Sequence, residues 1–498
     1  MFYSRASRLT ILLLISMATV LSKAAAQTTS FSRSDRGLPI QNPSQIVTGD
    51  FNKDGNLDLA FSDRAVSEVF VLLSAGDGTF GPEMRFTIPG PADSLVMGDF
   101  NNDGNLDLAM AVPSRNSIVI LFGAGNGNFS APTVLQAGPS PFQAPLGVVA
   151  GDFDGDDKQD LMNIAVGSNV VSFLKGNGNG TFGPYTFAGV VRDDPLMIVQ
   201  TDFNLDGKLD IATANFHVVG ITVALGTGTG TLQSAFELST TSAGAIALTT
   251  GDFNQDAFPD LAFLHRFRLP ETPGNFSISF GNGDGTFGPA RTDGTTGGLG
   301  PGALLTGDFN LDGDIDLVVA NSSFNTISIM PGTDDILQVG PAQTFSTPTN
   351  PVALASGDFN NDCRPDLAVL TAGDGALTIL LNTTPKSPLE IVGVGLNRNV
   401  LWPANHEMTD VTVDYSTTNN CGPVTCTLSV ASNEPINGTG DGDSAPDWEI
   451  IDEHHLRLRA ERAGNGSGRV YTITITCSDR SGSSVSRTVT VTVPISQS

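Results

Sequence analysis

One twelve-residue phrase recurs seven times along this 498-residue chain: Gly-Asp-Phe-Asn-x-Asp-Gly-x-x-Asp-Leu-Ala, with small variations. Its first Asp stands at positions 50, 99, 152, 202, 252, 308 and 358, so the repeat length is about 51 residues. We call the nine residues from this Asp to the last Asp of the phrase an Asp loop. A fixed period of this length predicts an array of similar units rather than one irregular domain.

A second phrase follows most copies at a fixed distance, and we call it the Phe turn. It reads Gly-Asp-Gly-Thr-Phe-Gly-Pro at 76–82 and 283–289, and Gly-Asn-Gly-Thr-Phe-Gly-Pro at 178–184. Between the phrases lie short runs rich in Val, Ile, Leu and Phe, such as 69–73 and 117–122. Such runs, bounded by Gly, Asn and Asp, predict β-strands. A unit of about 50 residues holds four strands, which is the size of one propeller blade.

The two ends of the repeat region indicate how the ring closes. The last repeat reaches 377–381 and stops before its Phe turn, whereas the short segment 29–32 precedes the first repeat. We expect this N-terminal segment to supply the missing outer strand of the last unit, because pairing removes an exposed sheet edge. The predicted fold class is therefore all-β, with a seven-bladed β-propeller over residues 27–385.

The first 26 residues have the pattern of an export signal. Arg5 and Arg8 precede an apolar stretch from Leu9 to Leu21, and small residues follow up to Ala26. This stretch would span only about 20 Å as a helix, short of the ~30 Å hydrocarbon core, which disfavours a membrane anchor. We expect cleavage after Ala26 and a secreted or surface-associated protein with no membrane span in its mature chain.

The chain is strongly acidic, with 52 Asp and Glu against 25 Lys and Arg and a net charge of −27. A nucleic-acid partner is disfavoured, because counterion release requires a basic face. The Asp loops hold 24 of the 52 acidic residues. Without a cation, each pair of carboxylates in a loop costs about 1–4 kcal/mol. The clustering of carboxylates in the Asp loops therefore predicts that these loops bind a cation.

The spacing of oxygen side chains in an Asp loop is that of a calcium-binding loop. Positions 1, 3, 5 and 9 carry Asp or Asn, position 6 is usually Gly, and position 7 can offer its backbone carbonyl. Asp and Asn also form ordinary turns, but seven copies in phase favour Ca²⁺. Zinc would require His or Cys, which only Cys363 supplies. The flanking strands and the absence of Glu at position 12 exclude an EF-hand.

Positions 1, 3, 5, 7 and 9 of the seven loops together form the candidate ligand set. The members are Asp50, Asn52, Asp54, Asn56, Asp58, Asp99, Asn101, Asp103, Asn105, Asp107, Asp152, Asp154, Asp156, Lys158, Asp160, Asp202, Asn204, Asp206, Lys208, Asp210, Asp252, Asn254, Asp256, Phe258, Asp260, Asp308, Asn310, Asp312, Asp314, Asp316, Asp358, Asn360, Asp362, Arg364 and Asp366.

The seven loops are not equivalent at position 6, which is Asp157 in the third, Ala257 in the fifth and Cys363 in the seventh. If this position requires a left-handed backbone, a side chain there costs about 1–2 kcal/mol. We therefore expect up to seven Ca²⁺ ions, with weaker binding at these three loops and the weakest at the fifth.

The two phrases resemble the FG-GAP repeat family, also described as VCBS-type repeats, which includes the β-propeller of integrin α subunits. The resemblance covers residues 30–385. It implies a seven-bladed propeller with calcium between the first two strands of a blade and recognition of extracellular partners. In the first copy the implied ligands are Asp50, Asn52, Asp54, Asn56 and Asp58.

The predicted strand order places the Asp loops and the Phe turns on one face of the ring. The opposite face then carries the variable loops, of which 265–273 and 138–142 stand out, and we expect a ligand to bind there. A Phe follows the first Asp of every loop. We interpret it as a packing residue between neighbouring sheets.

After 383–388 the repeat pattern ends. Five strand-like runs follow, at 410–415, 424–430, 456–458, 470–476 and 488–493. They predict a smaller Ig-like β-sandwich over residues 386–498, similar to accessory domains at the ends of bacterial surface proteins. The segment 441–447, Asp-Gly-Asp-Ser-Ala-Pro-Asp, is interpreted as a solvated loop rather than a further calcium site. We expect Trp402 and Trp448 to pack in this domain's core.

Three of the four cysteines lie in this second region. Alternation along the predicted strands turns Cys426 and Cys477 to inner faces, and in an exported protein we predict a disulfide between them. Cys421 is a rival partner for either. Cys363, in the repeat region, is predicted to be unpaired.

The sequence contains no nucleophile elbow, no P-loop and no dinucleotide fingerprint. We expect a monomeric, non-catalytic module for extracellular adhesion or recognition, whose partner is a protein or a glycan. One alternative is a carbohydrate-active enzyme such as a polysaccharide lyase, although Tyr185 is the one Tyr of the repeat region and no Trp is available there to stack on sugars. The other alternative is a passive structural surface protein.

Overall fold

The computed structural model describes residues 28–496, apart from 139–143, 193, 218–219, 239–243, 266–273, 334–338, 387, 419–420, 422, 436–445 and 464–467. The proposed export signal, 1–26, lies outside the described residues. Within them the regular structure consists of thirty-five β-strands and one short 3₁₀ turn, Pro113–Arg115. No helix in the described part is long and apolar enough to cross a membrane.

Residues 31–382 form seven four-stranded antiparallel sheets, numbered here in chain order. The first strands of sheets 1 to 7 are β2 (Pro43–Gly49), β6 (Ser94–Gly98), β10 (Ala144–Gly151), β14 (Pro195–Thr201), β18 (Ala245–Gly251), β22 (Pro301–Gly307) and β26 (Pro351–Gly357). The second strands are β3 (Asp58–Asp63), β7 (Asp107–Val112), β11 (Asp160–Val166), β15 (Asp210–Asn215), β19 (Asp260–His265), β23 (Asp316–Asn321) and β27 (Asp366–Thr371). The third strands are β4 (Glu68–Leu72), β8 (Ser117–Leu121), β12 (Val170–Leu174), β16 (Ile221–Ala224), β20 (Asn275–Ser279), β24 (Thr326–Met330) and β28 (Ala376–Asn382). The outer strands are β5 (Met84–Thr87), β9 (Thr133–Gln136), β13 (Thr186–Val190), β17 (Phe236–Leu238), β21 (Arg291–Thr295), β25 (Gln343–Ser346) and, in sheet 7, β1 (Phe31–Gly37).

The first strands lie innermost and follow one another around a closed ring. β2 contacts β6, each first strand contacts the next, and β26 contacts β2. A separate apolar cluster fills each of the seven interfaces between neighbouring sheets. Because a second strand is covered on both faces, all six residues of β3 are buried. This explains why the second strands are almost continuously apolar instead of alternating.

The ring closes through the N-terminal strand, as predicted. β1 pairs antiparallel with β28, in a register that runs from Phe31 opposite Asn382 to Gly37 opposite Ala376. The Phe31 ring also packs edge-on against Phe345 of sheet 6, with ring centroids 5.1 Å apart. The last sheet is therefore assembled from both ends of the repeat region.

Residues 390–493 form two further antiparallel sheets. One has the order β29 (Glu390–Leu396), β30 (Met408–Thr418), β33 (His455–Arg459), β32 (Trp448–Ile450), and the other has the order β31 (Thr425–Ser432), β34 (Arg469–Ser478), β35 (Ser484–Val493). Their inner faces share one core, in which Val411 and Leu456 of the first sheet pack with Ile473 and Val491 of the second. Four of the five predicted runs fall within strands, and the fifth, 424–430, begins one residue before β31, whereas β29 and β32 were not predicted.

Two disulfides join the four cysteines. Cys426 and Cys477 face each other across β31 and β34 and are bonded, which confirms the prediction. The prediction that Cys363 is unpaired is wrong, because it is bonded to Cys421. Cys363 lies in the seventh Asp loop and Cys421 follows β30, so no strand alternation related the two residues. The bond ties the seventh Asp loop to the C-terminal region.

Removal of residues 28–37 is predicted to open the ring. β28 would lose the strand that pairs with it and expose a hydrogen-bonding edge, so we expect a lower melting temperature and self-association. Size-exclusion chromatography with light scattering and thermal unfolding would measure both effects. Ser34→Ala, an exposed substitution within β1, is the control. An unchanged mass and melting temperature after the deletion would contradict the closure.

Candidate functional site

The Asp loops connect the first and second strands of each sheet, and the Phe turns connect the third and fourth strands. Since the strands alternate in direction, both sets lie on one face of the ring. Direct bonds support this placement, since the Gly78 N–H in the first Phe turn donates to the Phe359 carbonyl in the seventh Asp loop, at 2.9 Å. We call this side of the ring the Asp-loop face.

The first Asp of each loop organises the loop backbone. In the first loop, Asp50 Oδ1 accepts the Asp54 N–H at 3.1 Å and Asp50 Oδ2 accepts the Gly55 N–H at 2.9 Å. The other six loops repeat both bonds at 2.7–3.1 Å. The carboxylate at position 1 is thereby held in one orientation in all seven copies.

Positions 3 and 5 lie side by side. Asn52 Nδ2 donates to Asp54 Oδ2 at 2.9 Å, the Asp54 N–H donates back to Asn52 Oδ1 at 3.0 Å, and Asp54 Oδ1 accepts the Asn56 N–H at 2.8 Å. A carboxylate and an amide oxygen are thus presented within one tight turn.

Two positions of every loop have a left-handed backbone. Position 6 has a φ of 87° at Gly55, 61° at Asp157, 68° at Ala257 and 64° at Cys363, which confirms the expectation for this position. Position 4 also has a positive φ in all seven loops, at Lys53, Asn102, Gly155, Leu205, Gln255, Leu311 and Asn361. The second left-handed position was not predicted, because six of these seven residues are not glycine.

The ninth Asp is the buried base of every loop. Asp58 has no exposed surface, its Oδ2 accepts the Phe51 N–H at 3.0 Å and its Oδ1 accepts the Ser74 N–H at 2.8 Å. The same two bonds recur at Asp107, Asp160, Asp210, Asp260, Asp316 and Asp366. Each ninth carboxylate therefore joins its loop, its second strand and the end of its third strand.

Burial raises the pKa of the ninth carboxyls far above the ordinary 3.8. It raises the pKa of Asp58, Asp107, Asp160 and Asp210 to about 6, and that of Asp260, Asp316 and Asp366 to about 7. Backbone hydrogen bonds oppose the rise, and nearby loop carboxylates add to it. A carboxylate in this setting is stabilised by a proton or by a cation.

Among the described residues, one group of three carboxylates has oxygens that all lie within 4.8 Å of one another: Asp152, Asp154 and Asp156 of the third loop. This loop also contains Lys158 and lies beside Lys175, whose hydrogen bonds lower the pKa of Asp156 to about 2. In the fourth loop, Lys208 pairs with Asp206 at 2.9 Å, and in the seventh, Arg364 pairs with Asp362 at 2.6 Å. The cationic residues at position 7 thus interact with the carboxylate at position 5.

Neighbouring loops are bonded to one another, a feature that the motif alone did not reveal. The carbonyls of Phe51, Phe100 and Phe153, at position 2, accept the N–H groups of Gly127, Gly180 and Gly230 in the next sheet's turn. From position 4, Asn361 Nδ2 donates to Asn56 Oδ1 at 2.7 Å, and Gln255 Nε2 donates to Asp314 Oδ1.

The Phe at position 2 packs between sheets, as predicted. Phe51, Phe100, Phe153, Phe203, Phe309 and Phe359 are buried, and Phe253 is partly buried against the cluster between sheets 5 and 6. The Phe359 ring meets Phe80 of the first Phe turn edge-on, at 5.6 Å between centroids. The same Phe therefore packs with its side chain and accepts a bond with its carbonyl.

Other sequence interpretations have different outcomes. Trp448 packs against the C-terminal core, but the expectation for Trp402 is wrong, since this residue is 40% exposed.

In the segment 441–447, Asp447 is buried and accepts a hydrogen bond from Arg469 Nη1 at 2.9 Å, while 441–445 lie outside the described residues. Most of the two predicted ligand loops, 266–273 and 139–142, lie outside them as well.

The donors of the loops fit a hard divalent cation. Positions 1, 3 and 5 offer carboxylate and amide oxygens, and the ninth position offers a buried carboxylate. Cys363, the one Cys in the loops, is bonded to Cys421 and therefore offers no thiolate to a metal ion. Oxygen donors of this kind suit Ca²⁺, whereas Zn²⁺ prefers nitrogen and sulfur. A Ca²⁺ ion here would be held by positions 1, 3, 5, 7 and 9, and its charge would stabilise the ionised ninth carboxyl.

Ala257→Gly is predicted to stabilise the protein by about 1 kcal/mol, because Ala257 is held at a φ of 68°, where a side chain is strained. Gly55→Ala is the matched reverse substitution. Gly55 has a φ of 87° and open space around its missing Cβ, so backbone strain alone should cost about 1–2 kcal/mol. Chemical denaturation would measure both. Equal stabilities of Ala257→Gly and wild type would contradict the strain at position 6.

Metal-stripped protein is predicted to become more stable as the pH falls from 7.5 to 5.5. The folded ninth carboxyls bind protons at about pH 6–7 and the unfolded ones near 3.8, so the folded state takes up more protons in this window. Buried His265, whose pKa is lowered to about 4, acts in the opposite direction but is a single group. Differential scanning calorimetry would show the rise, and saturating Ca²⁺ should abolish it. A melting temperature that falls on acidification would contradict the raised pKa values.

Comparisons with known proteins agree with this geometry. The FG-GAP-like repeat model matches residues 50–110, 99–162, 202–263 and 308–369. Similar solved structures include a lectin of Agrocybe aegerita that recognises non-reducing terminal N-acetylglucosamine (16% identity, 72% of this chain and 97% of that chain, TM-score 0.49) and the RRP9 WD40 repeats (10% identity, 72% and 99%, TM-score 0.48). Both scores are below 0.5, so neither supports an argument about function.

No curated protein matches the sequence. The family match rests on segments that each run from one Asp loop to the next, so each covers the last three strands of one sheet and the beginning of the following sheet. We conclude that this chain is a β-propeller built from FG-GAP-like repeats.

Proposed function

We propose that the chain is a secreted or surface-associated, calcium-loaded, seven-bladed propeller with a C-terminal Ig-like β-sandwich, and that it acts as a non-catalytic extracellular recognition module. In this proposal the calcium ions are structural. Each ion orders a loop, and the ordered loops hold neighbouring blades together.

The observation that supports this proposal best is the bonding between neighbouring Asp loops. The Phe359 carbonyl accepts the Gly78 N–H, and Asn361 reaches Asn56 across the same junction. A cation that orders the seventh loop therefore also positions its contacts with the first sheet. An ion built into such a junction stiffens the ring, whereas a catalytic ion needs a position open to substrate.

The opposite face is the proposed recognition surface. It is formed by the turns between second and third strands and by the connections between sheets, the segments that vary most among the repeats. Among its described residues, Arg64 pairs with Asp93, and His217 Nε2 lies 3.2 Å from Asp194. The described part of this face lacks the concentrated carboxylates of the Asp-loop face, so a protein or glycan can approach it without strong repulsion.

Calcium binding and recognition can be tested together. Wild type is predicted to bind several Ca²⁺ ions by calorimetry and elemental analysis, to melt at a higher temperature with Ca²⁺ than with EGTA, and to bind a ligand on glycan or protein arrays without forming product. Asp54→Ala should lose one ion. Asp77→Ala, whose carboxylate lies in a Phe turn and accepts the Thr79 N–H, should lose none and is the matched control.

The alternatives give different results in the same experiment. Unsaturated sugar products would identify a polysaccharide lyase, and binding to no arrayed ligand would favour a passive structural protein. A protein with no bound metal and the same melting temperature in Ca²⁺ and EGTA would contradict the calcium-loaded propeller itself.

A further inference from the structure

The third repeat differs from the other six at several positions, two of which place charged residues close together. Position 3 of its Asp loop is Asp154, whereas the other loops have Asn there. Lys175 ends its third-strand segment, whereas the equivalent residues of the other repeats are Leu73, Phe122, Leu225, Phe280, Pro331 and Leu381. An additional acid and an additional base thus occur together in one repeat only.

The structure brings these two residues into contact. Lys175 Nζ donates to Asp154 Oδ2 and, at 2.8 Å, to Asp156 Oδ2. Lys158 Nζ donates to the same Asp156 Oδ2 at 2.9 Å, and the Lys158 N–H donates to Asp156 Oδ1. Both oxygens of Asp156 and one of Asp154 are therefore occupied by donors from the chain itself.

The space that the residue equivalent to Lys175 fills in other sheets is filled in the third sheet by a different side chain. In other sheets the equivalent side chain lies against a glycine of the next sheet's turn, as Leu73 does at Gly127 and Leu381 at Gly78. At the corresponding Gly230 the nearest side chain is Phe173, two residues before Lys175. Phe173 fills the space between sheets 3 and 4, so the Lys175 side chain can turn toward the Asp loop.

We infer that the Lys175 ammonium takes the place of a divalent cation in the third Asp loop, so that this loop is ordered without metal and the propeller binds one Ca²⁺ ion fewer than it has loops. The inference rests on the proposed calcium binding of the other loops. The sequence predicts a weaker calcium site in the third loop because of Asp157 at position 6. In our inference this loop instead binds no calcium, because the Lys175 ammonium occupies its carboxylates.

The reason is the positive charge of the groups that occupy these carboxylates. Ca²⁺ takes six to eight oxygen ligands. At positions 3 and 5 of this loop, Asp154 Oδ1 is the one carboxylate oxygen without a hydrogen-bond partner among the described residues. An ion could enter only by displacing Lys175 from two carboxylates, and its charge would then lie beside two ammonium groups. In the first loop the corresponding contacts come from neutral Asn52 and backbone N–H groups.

Lys175→Leu tests the inference, because Leu is the natural residue in sheets 1, 4 and 7. We expect the variant to bind one additional Ca²⁺ ion per molecule by native mass spectrometry and calorimetry. In EGTA its melting temperature should fall by about 2 °C, and Ca²⁺ should restore it. Lys53→Leu is the matched control, since Lys53 is exposed at position 4, outside the candidate ligand set, and the fourth and sixth loops carry Leu at that position. Lys175→Arg should keep the wild-type stoichiometry.

The outcomes separate this inference from the proposed function. Equal ion counts in calcium-binding wild type and Lys175→Leu, or an unchanged melting temperature of the variant in EGTA, would overturn the role of Lys175. If neither protein binds calcium but the variant melts lower in EGTA than both wild type and Lys53→Leu, the proposed calcium loading fails while the role of Lys175 as the loop's own cation is supported.

Discussion

A buried carboxylate at the ninth position of each Asp loop connects three parts of its sheet. Asp58 accepts one N–H from the loop and one from the end of the third strand, and it begins the second strand itself. Burying an ionised carboxylate is costly unless hydrogen bonds or a counter-charge compensate. The loop carboxylates at positions 1 and 5 increase this cost, so a proton, a metal ion or a lysine must balance each loop.

This requirement explains why loop and sheet are repeated as one unit. The Asp loop cannot be ordered without its ninth residue, and that residue is held by the third strand of the same sheet. The next sheet's turn then bonds to the Phe carbonyl at position 2, as between Gly127 and Phe51. Order in one loop is thereby transmitted to the neighbouring sheet, and a closed ring leaves no terminal unit without a partner. Sheet 7 is assembled from both ends of the repeat region, and there the Cys363–Cys421 bond joins the loop to the C-terminal region.

Much of the fold could be predicted because its signals are local and repeated. Strands such as β4 and β8 are short apolar runs between turn residues, and seven copies in phase made the four-stranded unit recognisable. The incomplete last repeat correctly indicated that β1 completes sheet 7. In the candidate site, the spacing of Asp and Asn predicted which residues share a loop and that position 6 needs a left-handed backbone. The left-handed position 4 carries residues as different as Lys53 and Leu205, and no residue type marks it.

By itself, the sequence determined the repeating all-β architecture, the grouping of oxygen donors and the inward direction of Cys426 and Cys477, because each depends on periodicity or on alternation within a few residues. Only the tertiary structure decided that Cys363 meets Cys421, that Asn361 reaches Asn56, and that Lys175 enters the third loop. These contacts join residues from 19 to 305 positions apart. They depend on how whole sheets are placed around the ring and on which side chain fills each interface, which no local pattern specifies.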